Sequence, residues 1–246
     1  MICPHSRSHF RRVFASIAGV LVFAGCNNLP GRPGPGPKVI NPAELLDFDT
    51  LVRQNCSGCH GAEGKGGGAI ALRDPVFLAI VPDTTLHSII AKGVPGTQMP
   101  AFVQSEGGML TDEQIDVLVG GIRSWAQTGV LAAENLPPYQ EQTPGDPQRG
   151  AEVYTTFCSS CHGPDGQGGS KAGSIVNPTY LALVSDQYLR TIVIAGRPEL
   201  GAPDWRSDVA GHPMSAQDIS DVVAWLVAHR KQFPGQPYPA SEALKR

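Results

Sequence analysis

The 246-residue sequence predicts an all-α fold made of two tandem helical units. Three observations predict it. The chain repeats itself: Cys56-Ser57-x-Cys59-His60-Gly61-x-x-Gly64-x-Gly66-Gly67 recurs as Cys158-Ser159-x-Cys161-His162-Gly163-x-x-Gly166-x-Gly168-Gly169. After one inserted residue the register holds at an offset of 103, so Asp74-Pro75 meets Asn177-Pro178, Pro100 meets Pro203, and Phe102 meets Trp205. Apolar residues recur at helical spacing, and strand-like alternation is absent.

The elements follow in order. Residues 1–25 read as an export signal. Arg7, Arg11 and Arg12 make a basic start, and the apolar run Val13 to Gly25 is shorter than the ~20 residues that span a bilayer. It ends in Leu21-Val22-Phe23-Ala24-Gly25-Cys26, which resembles a bacterial lipoprotein cleavage box. That resemblance implies Cys26 as the first mature residue, diacylated on its sulfur, with a membrane contact through the lipid anchor on the periplasmic face. A plain secretory signal with a chance cysteine is the alternative. Residues 26–42 hold Pro30-Gly31-Arg32-Pro33-Gly34-Pro35-Gly36-Pro37, a composition that builds no core and reads as a semi-extended tether of ~3 Å per residue.

Residues 43–127 form the first unit. A helical segment over Pro42 to Gln54 precedes the first Cys-x-x-Cys-His, and Thr111 with Gln114 three residues on is a capping-box pattern that opens its last helix. Ile115, Leu118, Val119 and Ile122 make the apolar face of that helix. A Pro-rich break over 128–145 separates the units. The second unit, 146–232, repeats the plan: a helix over Gln148 to Phe157, the second Cys-x-x-Cys-His, and a last helix opened by Ser215 with Asp218 and faced by Ile219, Val222, Val223 and Leu226. Residues 233–246 are a C-terminal tail. A unit of about 85 residues buries only about 60% of its unfolded surface and is marginal alone.

Charge narrows the partners. The formal net charge is −3, and loss of the three arginines of residues 1–25 leaves about −6. An acidic chain repels phosphate backbones, which excludes a nucleic-acid role.

The pentapeptides carry the chemistry. Cys-x-x-Cys-His is the attachment signature of c-type haem. Two thiols three positions apart on a helical turn reach the two vinyl groups of one porphyrin, and the adjacent imidazole sits beneath the iron. Cys56 and Cys59 would hold one haem with His60 on its iron; Cys158 and Cys161 would hold another with His162. A zinc knuckle needs a second Cys or His pair a dozen or two residues away, and neither half offers one. A thioredoxin-like dithiol needs a βαβ context, which is missing. Covalent haem would also supply the apolar core that each short unit lacks.

Each unit resembles a class I cytochrome c domain: an N-terminal helix, Cys-x-x-Cys-His, a Gly-rich loop, a Met-Pro segment and a C-terminal helix. The tandem looks like the soluble dihaem cytochromes and the cytochrome subunits of bacterial respiratory complexes. The resemblance implies two covalently bound haem c groups. It implies that Pro75 and Pro178 offer the carbonyls that accept the Nδ1–H of the proximal imidazoles. In Gly93-Val94-Pro95-Gly96-Thr97-Gln98-Met99-Pro100-Ala101-Phe102 it implies Met99 as the sixth ligand of the first iron, with Met109 as competitor. The matching position of the second half is Ala202, which cannot bind iron. Nearby candidates are Met214 and, alternatively, His212, or the position is open.

The function expected is electron transfer in a bacterial periplasmic or membrane-associated chain, with redox proteins or a membrane respiratory complex as partners. The alternative is an enzyme of the dihaem peroxidase type using an open second haem. No distal His–Arg–Glu set has convincing spacing, although Arg197, Glu199 and Arg206 are near.

Overall fold

A computed structural model describes residues 36, 39–126, 136–207, 209, 211–231 and 234. The signal segment, Cys26, most of the tether and nearly all of the tail lie outside the described residues. Regular structure among the described residues is helical, with isolated β-bridges only. The first half contains α1 (Phe48–Asn55), α2 (Ser57–His60), α3 (Pro75–Ile80), α4 (Asp83–Lys92) and α5 (Asp112–Ser124). The second contains α6 (Pro147–Phe157), α7 (Ser159–His162), α8 (Pro178–Leu183), α9 (Asp186–Ala195) and α10 (Ala216–Ala228).

Helix starts follow local chemistry. Both expected capping boxes form: Thr111 accepts from Gln114 N–H while Gln114 accepts from Thr111 N–H, and Ser215 with Asp218 does the same. Asp74 and Asn177 cap α3 and α8, each with proline in the first turn, where its missing N–H costs nothing. The first helix begins later than its sequence suggests. Pro42–Glu44 forms a separate 3₁₀ turn, and α1 starts only after Asp47, whose carboxylate accepts from Thr50 N–H at 2.9 Å. The intervening carbonyls of Pro42 and Leu45 are taken by the side-chain amide of Gln114, at 2.8 and 2.9 Å.

In each half the first helix crosses the last, α1 on α5 and α6 on α10. Close crossing needs a small residue, and the two halves put it on opposite partners. In the first half the glycine is on the last helix: a Cβ at Gly121 would stand 2.1 Å from the Phe48 ring. In the second it is on the first helix: a Cβ at Gly150 would stand 2.1 Å from the Asp221 carbonyl oxygen. Each crossing carries an aromatic pair, Phe48 with Trp125 edge to face at 5.0 Å and Tyr154 with Trp225 stacked at 4.2 Å. Such pairs add ~0.5–1.5 kcal/mol beyond the area they bury.

Arginine closes the same joint in both halves. Arg123 donates to the carbonyls of Leu78 and Val81 (2.8 Å for the latter) and pairs with Asp83 at 2.5 Å. Arg230 donates to the carbonyls of Leu181 (2.8 Å) and Val184 (2.9 Å) and pairs with Asp186. These carbonyls lie at the C-terminal ends of α3 and α8, where no intrahelical donor is left. The last helix of each half is thereby tied to the loop helix beneath it.

The halves are not independent beads. One contiguous apolar core contains Leu51, Ile115 and Leu118 from the first half and Tyr154, Ile194 and Ile219 from the second. The end of the linker is docked as well. Buried Arg190 donates from Nε to the carbonyls of Pro138 and Tyr139, both at 3.2 Å, and from Nη1 to Ser220 at 3.1 Å. Burial pushes its pKa down, and three oxygens around the guanidinium offset that cost.

Candidate functional site

The two pentapeptides fold into the same turn. Cys56 ends α1 by donating its N–H to the Val52 carbonyl at 2.8 Å, and its own carbonyl accepts from His60 N–H at 3.0 Å. Cys158 does the same with Tyr154 at 2.9 Å and His162 at 3.0 Å. The four cysteines are free thiols. Burial pushes Cys56 and Cys158 up to about 11, so both are neutral thiols at neutral pH.

Glycine is needed where the turn ends. Gly61 and Gly163 have φ of 77° and 80°, and a Cβ there would stand 2.0 and 2.5 Å from the carbonyl oxygens of Gly66 and Gly168. The chain then folds back: Gly66 and Gly168 each donate to the carbonyl of their half's histidine at 2.8 Å.

Each imidazole is anchored through Nδ1. His60 Nδ1 lies 2.8 Å from the Ile70 carbonyl, and His162 Nδ1 lies 2.8 Å from that of Gly173. A carbonyl only accepts, so Nδ1 carries the proton and Nε2 keeps its lone pair. This corrects the assignment of the acceptor to Pro75 and Pro178. Those prolines sit in the first turns of α3 and α8, so their carbonyls point along the helix axis into its hydrogen-bond ladder. The acceptors come earlier, from the extended stretch after the glycines, and they keep the repeat offset of 103. Burial, aided by the charge of Arg197, lowers the pKa of His60, which favours a neutral ring.

A second loop is also matched between the halves. After α4 the chain turns at Gly93 (φ 68°), and Val94 N–H donates to the Met99 carbonyl at 3.0 Å. After α9 it turns at Gly196 (φ 72°), and Arg197 N–H donates to the Ala202 carbonyl at 3.1 Å. Phe102 N–H reaches the Ala91 carbonyl at 3.1 Å, and Trp205 N–H reaches that of Ile194 at 3.0 Å. Alanine therefore occupies the backbone position of Met99 with no slip in register.

The other candidate ligands fall into different settings. Met109 is 78% exposed, whereas Met99 is half-buried. Met214 is 5% exposed, packed in the core, and donates its N–H to the Trp205 carbonyl at 2.9 Å. Leu110 is also 5% exposed and donates to the Phe102 carbonyl at 2.8 Å. The structure thus seats Met214 as the counterpart of a core leucine, not on the hairpin that carries Met99. His212 is exposed in the loop before α10.

The hairpin of the second half rests on the first. The Arg197 side chain is 11% exposed and donates from Nη2 to the Gly67 carbonyl at 2.7 Å and from Nε to Glu199 at 2.5 Å. Glu199 in turn covers Gly66, where a Cβ would stand 2.7 Å from the carboxylate oxygen. Asp74 is buried near this cluster; burial raises its pKa, and the charges of Asp204 and Glu199 raise it further. Sequence reasoning missed the bridging role of Arg197, which joins residues 130 apart. It also missed Arg123 and Arg230, because Arg123 lies in the last turn of its helix whereas Arg230 lies beyond the end of its own and out of the repeat register.

The donor set fits a haem. Each half offers two thiols on one turn and an imidazole with Nε2 free. In the second half, Trp205 Nε1 is buried without an acceptor among the described residues, an unmet donor near the hairpin. Two all-α domains, each pairing a thiol–imidazole turn with a glycine-hinged hairpin, define a tandem c-type cytochrome. The chain belongs to the family described as cytochrome C oxidase, cbb3-type, subunit III, which matches residues 43–120 and 145–226. That membership indicates covalently bound haem c.

Among its relatives is the CcoP subunit of the cbb3-type cytochrome c oxidase of Azospirillum sp. (strain B510). It is 34% identical over 135 residues, covering 50% of this chain and 41% of the relative. The chain thus spans less than half of that subunit. The cytochrome c subunit of the cytochrome bc1 complex of Mycobacterium bovis aligns more widely, over 92% of this chain and 80% of its own length, at 21% identity. A solved structure, dihydro-haem d1 dehydrogenase NirN in complex with DHE, matches 41% of this chain and 23% of its own at 28% identity, with a TM-score of 0.29. Among the described residues no helix is long and apolar enough to cross a membrane.

Proposed function

We propose that this chain is an exported electron carrier with two covalently bound haem c groups, lipid-anchored at Cys26 on the periplasmic face. Its partners are redox proteins or a membrane respiratory complex. The observation that carries the reading is the duplicated unit of two thiols and an Nδ1-anchored imidazole. Each bound haem supplies a one-electron iron couple. The protein does the rest. Cys56 and Cys59, and Cys158 and Cys161, would each hold one ring by thioethers to its vinyl groups. His60 and His162 would offer Nε2 to the irons, and the carbonyls of Ile70 and Gly173 fix the tautomer and raise the basicity of the imidazoles. Met99 would offer a thioether to the first iron, a weak ligand that would favour the reduced state and raise the potential.

Arg197 supports transfer between the halves. It ties the second hairpin to the glycine loop that follows His60, so the two redox sites keep one relative placement. The names of the oxidase and bc1 relatives support a respiratory partner, and the peroxidase-type alternative is not favoured. Mass spectrometry of the mature protein tests the reading. Two added haem masses and a diacylated N-terminal cysteine are expected. One haem, or zinc with intact thiols, would overturn it. Cys26→Ser should separate the anchor from the redox chemistry, releasing the protein from membranes with both haems in place.

A further inference from the structure

We infer that the second half supplies no distal protein ligand to its haem iron, and that the hairpin around Ala202 leaves that position to a small exogenous π-acceptor ligand of the carbon monoxide type. The inference rests on the reading that both halves hold haem.

Four observations carry it. The hairpins of the two halves share their closing bond, Val94 N–H to the Met99 carbonyl in one and Arg197 N–H to the Ala202 carbonyl in the other, at 3.0 and 3.1 Å, although inside that bond the first turns at Gly96 and the second through a 3₁₀ turn, Pro198–Leu200, and Gly201. A shift of register that could bring another side chain to the Met99 position is thereby excluded, because the flanking bonds of Phe102 and Trp205 match as well. Alanine has no donor atom, so the change deletes the ligand and keeps the loop. The nearest methionine in sequence is committed elsewhere: Met214 fills the core position of Leu110, its amide held by Trp205, and pulling its thioether out would open a destabilising cavity in the core. His212 is exposed, and its backbone is held within its own loop, N–H to the Val209 carbonyl at 3.0 Å and C=O accepting from the Ser207 hydroxyl at 3.2 Å.

The same place gains polarity. Trp205 stands where the first half has Phe102, and its buried Nε1–H has no acceptor among the described residues. An unmet buried donor destabilises the fold by its lost hydration. A site that tolerates one beside a missing ligand is built unlike its twin. The physical consequence is a division of roles: the first iron would be held by His60 and Met99, while the second would keep one position open to an exogenous ligand.

Carbon monoxide titration of the dithionite-reduced full-length holoprotein tests this. One carbon monoxide per chain is expected, with half of the haem in the oxidised protein high-spin by EPR. Ala202→Met should cut uptake from one per chain to none and add a second thioether–iron band at the red end of the oxidised spectrum. Met214→Leu and His212→Gln, which keep the fold intact should Ala202→Met fail to assemble, should both leave uptake at one per chain. No uptake by the wild type, with two low-spin haems present, would overturn the inference and leave the two-haem reading standing. So would uptake that arises only in Met214→Leu or His212→Gln, or uptake of two per chain. Fewer than two haems per chain would instead overturn the reading beneath it.

Discussion

Alanine at three glycines separates helix propensity from packing. Gly120 and Gly121 are neighbours in α5, and Gly150 lies in α6. In a helix interior, replacing glycine by alanine gains roughly 1 kcal/mol. At Gly120 a Cβ would meet nothing within 4 Å, so Gly120→Ala should keep that gain and stabilise by ~0.5–1 kcal/mol. At Gly121 a Cβ would stand 2.1–2.4 Å from three atoms of the Phe48 ring. The whole ring must move, at the expense of its contact with Trp125. Overpacking of this kind costs ~1–3 kcal/mol, so Gly121→Ala should be neutral to ~2 kcal/mol destabilising. At Gly150 the obstacle is backbone, the Asp221 carbonyl oxygen at 2.1 Å and its carbon at 2.7 Å, with Trp225 Cβ also at 2.7 Å. Neither helix can yield without opening the crossing and the Tyr154–Trp225 stack. Gly150→Ala should therefore lose at least ~2 kcal/mol, which for a unit this small lowers the melting temperature by ~10 °C. Thermal and urea melts of the three holoproteins, followed by far-ultraviolet circular dichroism, give the order. A Gly150→Ala protein as stable as Gly120→Ala would refute the close crossing of α6 on α10.

Arg230→Ala removes the donors to the Leu181 and Val184 carbonyls and the partner of Asp186, and should cost ~2–3 kcal/mol in a urea melt; Arg230→Lys should rescue only part, because one ammonium cannot reproduce the fork. Asp74 tests a buried charge: its folded pKa is raised, so the fold favours the protonated form, and the penalty is absent in acid and grows as pH rises through that pKa. Asp74→Asn, which copies Asn177 and can still accept from Phe77 N–H, should be more stable than wild type at neutral pH, with the advantage fading as pH falls; a constant advantage at all pH values would show that charge is not the cause. Met99→Ala should lose the thioether–iron band, lower the potential of the first haem, and make that haem bind carbon monoxide.

Local pattern and duplication made much of this protein legible before its structure. Thr111 with Gln114 and Ser215 with Asp218 announce their helices because a capping box is closed within three residues. The two Cys-x-x-Cys-His turns and the loss of methionine at Ala202 are equally local, and the repeat supplied a reference for each half. What the sequence left open depends on chain that returns from afar. The later start of α1 follows from Gln114, about 70 positions on, taking the carbonyls of Pro42 and Leu45. The acceptors for the imidazoles are Ile70 and Gly173, not the prolines, because the first turn of a helix aims its carbonyls along its own axis. The opposite placement of the crossing glycine, Gly121 in one half and Gly150 in the other, is visible only when both helices are in contact. Arg197 is the extreme case: its neighbours in sequence mark a loop, and only the packing of one half on the other turns it into a bridge to Gly67. Spacing along the chain decides which atoms are available to a haem, whereas tertiary packing decides which of them are already spent on holding the protein together, as Met214 is in the core.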